Sequence, residues 1–120
     1  MRLRPLALGA VALAVASPVG SAARAPARIQ VVEREYTLTL SRLSLRSGPA
    51  IVNVVNFGQD THNLVLVGKA PGAKPARTKV VPPHGHAELD VRLAPGRYEL
   101  YCSLSGHREA GMHARLTVRR

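Results

Sequence analysis

The chain has 120 residues, 46% of them hydrophobic, which suits one domain with an ordinary core and excludes disorder throughout. Seventeen lysines and arginines face seven acidic residues, a net charge of +10 that favours encounter with acidic partners. Nucleic acid is excluded as a natural partner: the basic residues are scattered singly over strand-like segments, and aromatic residues are only 3% of the chain.

The first element is a secretory signal. Arg2 and Arg4 form a basic start, Leu6 to Ala16 an apolar run, and "SPVGSAARA" a small-residue segment. The apolar run is too short for the roughly 20 residues that span a bilayer. Residues 1–23 are therefore expected to be removed, with cleavage after Ala22, Ala23 or Ala25, and residues 28–120 to form the mature domain in the periplasm or elsewhere in the cell envelope or outside it. Membrane contact is at most peripheral, and a monomer is expected.

Short apolar runs then recur between turn residues: "RIQVVE", "EYTLTL", "AIVNVVNF", "HNLVLVG", "ARTKVV", "HAELDVRL", "GRYELYC" and "HARLTVRR". Alternation is clearest in "HAELDVRL", where Ala87, Leu89, Val91 and Leu93 share one face and Glu88, Asp90 and Arg92 the other. In "GRYELYC" the inward set is Tyr98, Leu100 and Cys102, which puts the cysteine at a strand end. The segments "RSGP", "KAPGAKPA", "VPPHG" and "APG" supply turns. Seven or eight short strands of this kind predict an all-β Greek-key sandwich or barrel. "LAPGRY" suits a tyrosine corner at Tyr98, and residues 68–83, with four prolines, suit a surface run holding one weak edge strand.

Cys102 is the only cysteine, so its thiol is free, paired with another chain, or bound to something. Cys102, His107 and Met112 follow Cys-x4-His-x4-Met, which lets one loop turn a thiolate, an imidazole and a thioether toward one point. Those are donors that copper prefers. His62, in "NFGQDTHNLVL", begins a strand at a turn 40 residues upstream and supplies a fourth donor. Two histidines, a cysteine and a weak axial methionine make a blue-copper electron-transfer site. His113 points away from such a site, because adjacent strand residues face opposite ways. His84 and His86 are more simply a polar turn than a second, weak copper or zinc site.

Three passages resemble the cupredoxin family, the small blue copper proteins: "NFGQDTHNLVL", "LAPGRYELYC" and "CSLSGHREAGMHARLTV". The ligand loop, with four residues in each gap, is most similar to the auracyanin and rusticyanin type. The resemblance implies a cupredoxin fold from about Ile29 to Val118 binding one type 1 copper ion. His62 and His107 would be the imidazole ligands, Cys102 the thiolate and Met112 the axial thioether. Asn63 and Ser103 would hydrogen-bond the two ligand loops together, and the Thr61 carbonyl lies where some members offer a further weak axial oxygen. The His107 edge would lie near the surface, ringed by Leu104, Ala110 and Met112 as a docking patch. The implied function is one-electron transfer, not catalysis, between redox proteins of cytochrome or copper oxidase/reductase type, with copper delivery in the cell envelope as the alternative.

Overall fold

The computed structural model describes residues 1–7, 9–16 and 24–120, of which 1–7 and 9–16 form no helix or strand. The expected cleavage points at Ala22 and Ala23 lie outside the described residues, and Ala25 lies within them. Among the described residues no helix is long and apolar enough to cross a membrane.

Period-two alternation builds the sheets. In β1 (Ala27–Arg34), Ile29, Val31 and Glu33 turn inward, and in β4 (Gly48–Asn56), Ala50, Val52, Val54 and Asn56 do so. These two strands pair in parallel, flanked by β2 (Thr37–Leu40) on one side and β7 (His86–Leu93) on the other. The second sheet has β3 (Ser44–Arg46), β9 (His113–Arg119), β8 (Gly96–Tyr101), β5 (Val65–Gly68) and β6 (Ala76–Arg77), in that order. The chain passes repeatedly from one sheet to the other, as Greek-key connections require. Leu64, Leu66, Leu100, Leu116 and Val118 close the core between the sheets. Truncating one of these leucines to alanine costs about 2–5 kcal/mol.

The described residues contain nine strands, not seven or eight, in two separate sheets that form a sandwich and not a closed barrel. The extra strand, β3, has three residues and buries only Leu45, so it shows no readable period. "EYTLTL" starts two residues late, because Glu35 and Tyr36 make the turn between β1 and β2. "ARTKVV" shrinks to β6, an edge strand of two residues within the proline-rich run. The tyrosine corner is present, with the Tyr98 hydroxyl donating to the Ala94 carbonyl at 2.8 Å.

Candidate metal centre

The loop after β8 folds back on itself. Cys102 lies one residue past the strand and is fully buried. Its amide donates to the Met112 carbonyl at 3.1 Å, and the Met112 amide donates to the His107 carbonyl at 3.1 Å. Between them stands α1 (His107–Ala110), preceded by Gly106 at φ 80° and followed by Gly111 at φ 130°. Gly111 has two reasons to be glycine: the positive φ, and the Tyr36 carbonyl, 2.7 Å from where a Cβ would stand. Tyr36 also lays its ring edge-on to His107, with centroids 5.3 Å apart.

His62 arrives from another direction. It does not begin a strand; it makes an isolated bridge to Val81, with N–H to O distances of 3.1 and 2.6 Å in the two directions, and β5 starts three residues later. Asn56 shapes the preceding loop: its amide nitrogen donates to the Asp60 and Val81 carbonyls at 2.8 and 3.0 Å, and its oxygen accepts from the Gly58 amide at 2.8 Å.

Three donor atoms converge. His62 Nδ1 and His107 Nδ1 are 3.1 Å apart, and Cys102 Sγ lies 3.9 Å from the first and 3.5 Å from the second. A transition metal bound at about 2.0–2.1 Å to nitrogen and about 2.3 Å to sulfur requires its donors to lie closer than roughly 4.1 Å (N to N) or 4.4 Å (N to S). All three separations meet that limit. Met112 is also fully buried, joined to both Cys102 and His107 through the backbone. A thiol, two imidazoles and a thioether are the soft and borderline donors that suit copper.

Surrounding charges and dipoles differ sharply within a few residues. Burial pushes the Cys102 thiol up, against amide hydrogen bonds from Asn63 and Leu104 that favour the thiolate. A bound cation would remove that proton outright. Glu33, fully buried with no hydrogen bond to either carboxylate oxygen among the described residues, is raised by desolvation to about 8. Glu35 is lowered to about 2 by hydrogen bonds from the Asp60 and Gln59 amides and from His62.

Asn63 and Ser103 interlock as expected. The Asn63 amide donates to Ser103 Oγ at 2.7 Å, and the Ser103 backbone amide donates back to Asn63 Oδ1 at 2.8 Å. Thr61 stands half-buried beside His62, Leu104 is half-buried, and Ala110 is exposed in α1. Met112 does not join a surface ring around His107; it is fully buried. His113 is exposed at the start of β9. His84 and His86 are exposed, and the one metal-competent group of histidine, cysteine and acidic residues among the described residues is His62, Cys102 and His107. Sequence reading missed Glu35, Tyr36 and Asn56. The available signal was phase: Glu33, Glu35 and Asn56 are polar residues that continue the inward registers of β1 and β4.

No protein-family model matches the chain, and no curated protein does. Solved structures do. Auracyanin B superposes with a TM-score of 0.65 at 22% identity, over 82% of this chain and 93% of that one. Auracyanin from Roseiflexus castenholzii gives 0.64 at 21%, over 81% and 100%. Rusticyanin from Thiobacillus ferrooxidans gives 0.63 at 17%, over 79% of each chain. The chain has the cupredoxin fold, and His62, Cys102 and His107, with Met112 beside them, fit one type 1 copper ion.

Proposed function

We propose that the protein is an exported one-electron carrier whose copper ion would be held by His62, Cys102 and His107, with Met112 as the weaker fourth donor. The observation that carries this reading is the convergence of two Nδ1 atoms and one buried sulfur within 3.9 Å of one another. When bound, copper supplies the Cu(I)/Cu(II) couple. The chain supplies the rest. Asn63 and Ser103 lock the segment of His62 to the loop of Cys102, so the donors keep one arrangement in both oxidation states. Met112, fully buried and bonded through its backbone to Cys102 and His107, would fill the fourth position and leave none open for a substrate, which favours a carrier over a catalyst.

His107 is the half-buried member of the set and gives partners their approach, with Leu104 and Ala110 as the docking surface. Once Arg2 and Arg4 leave with the signal, 15 lysines and arginines remain against 7 acidic residues, and this net charge of +8 would steer acidic faces of cytochromes or copper oxidases and reductases toward it. The basic start, apolar run and small-residue segment support export, to the periplasm, the cell envelope or the exterior.

The test is to add Cu(II) to the purified protein and record its visible spectrum. An intense thiolate-to-copper absorption, absent in Cys102→Ser, is expected; a colourless protein with weak, cysteine-independent binding would sink the reading. Reversible electron exchange with a cytochrome, with copper retained, separates a carrier from a copper-delivery protein.

A further inference from the structure

The second ring nitrogen of His62 meets a carboxylate. Nε2 lies 2.8 Å from Glu35 Oε1, although the two residues are 27 apart in sequence. Glu35 opens the two-residue turn between β1 and β2, and its carboxylate also accepts hydrogen bonds from the Gln59 amide, at 2.9 and 3.1 Å, and the Asp60 amide, at 2.8 Å. The place is built for it. A Cβ on Gly58 would collide with Oε1, and Asn56 holds the 57–61 loop so that its amides face the carboxylate.

An ionised carboxylate only accepts, so the shared hydrogen must sit on His62 Nε2. Nδ1 is then left with its lone pair directed at Cys102 and His107. The opposite tautomer would point a hydrogen into the donor cluster and leave Nε2 facing Oε1 with lone pair against lone pair. Since the carboxylate has three N–H partners, its position does not depend on His62 alone.

We propose that Glu35 is the positioning residue of the centre: it selects the Nε2–H tautomer of His62, aims Nδ1 at the ion, and by its negative charge favours Cu(II) over Cu(I). The proposal rests on the copper reading above. A carboxylate behind a ligating imidazole raises the basicity of that ligand, and loss of such a partner typically lowers metal affinity 10–100-fold. The fixed charge acts in the same direction, because a doubly charged ion gains more from it than a singly charged one.

Two measurements test this. The first uses the metal-free full chain at about pH 8, above the ordinary histidine range, and reads the His62 tautomer by nitrogen-15 NMR. The parent should show the Nε2–H form almost alone, Glu35→Ala a mixture, and Glu35→Asp partial recovery. The second uses copper-loaded protein. Glu35→Gln should shift the preference from Cu(II) toward Cu(I) by about tenfold, a rise in potential of about 59 mV for one electron, and Glu35→Ala should lose 10–100-fold in Cu(II) affinity. If the variants melt earlier but keep the parental tautomer, affinity and potential, Glu35 merely pins the turn and the proposal is overturned. If the parent itself binds no copper, the functional reading fails, and the tautomer of the metal-free chain still decides whether Glu35 orients His62.

Discussion

The two imidazoles that face Cys102 are held in opposite ways. His62 is fully buried, bridged to Val81 through both backbone groups, and anchored at Nε2 by Glu35. His107 is half-buried, opens a four-residue helix with no buried residue, and has Tyr36 resting edge-on against its ring. One side of the centre therefore fixes geometry and the other gives access. A carrier needs both, because a ligand that is locked on every side leaves a partner no short route to the metal.

The sharpest way to break this asymmetry is to delete each ring in turn. His107→Gly and His62→Gly should both abolish the thiolate-to-copper absorption, but added imidazole should restore it only in His107→Gly, where the gap opens toward solvent. Recovery in both, read from the visible spectrum, would remove the distinction.

The next largest effect concerns Glu33 and Glu35, two residues apart and oppositely tuned. The folded chain keeps the Glu33 proton up to about pH 8, whereas the unfolded chain loses it near 4.5. Its contribution to stability is therefore full below 4.5 and lost as the pH rises to about 8, on the order of 4 kcal/mol. Glu33→Leu should flatten that decline in chemical denaturation of the metal-free protein at pH 5 and pH 8. Glu35 has the reverse sign: its contribution is present above 4.5 and lost as the pH falls through about 2.

Asn63→Ala severs the reciprocal pair that joins the two sides, which should cost about 2 kcal/mol in unfolding experiments and broaden the copper absorption by freeing the donors to vary. The smallest change is expected for Tyr36→Leu, which removes an edge-on ring contact with centroids 5.3 Å apart. It should alter stability by less than about 1 kcal/mol yet change the rate of electron exchange, because it uncovers His107.

Legibility in the sequence followed the same divide. The access side is local: Cys102, His107 and Met112 lie within one loop, so their spacing alone grouped them. β7 was equally plain, because Ala87, Leu89, Val91 and Leu93 alternate without a break. The fixed side depends on contacts made across the sandwich. His62 stood out by residue type at a turn, but its bridge to Val81 and its link to Glu35 span 19 and 27 residues and leave no local pattern. β3 was invisible for a related reason, since three residues with one buried leucine become a strand only through pairing with β9.

That pairing also sets when the centre can exist. β3 and β9 run in parallel, joining Ser44 to Thr117 and Arg46 to Arg119, so the second sheet is complete only when nearly the last residues dock. Closing such distant contacts is slow, commonly milliseconds to seconds for all-β domains. Cys102, His107 and Met112 sit just ahead of that final strand, so its docking is expected to bring the donors to one point. Refolding the chain with Cu(II) present tests this: colour that appears together with the final folding phase is the expected result, and colour well ahead of it would show that the loop gathers the ion first.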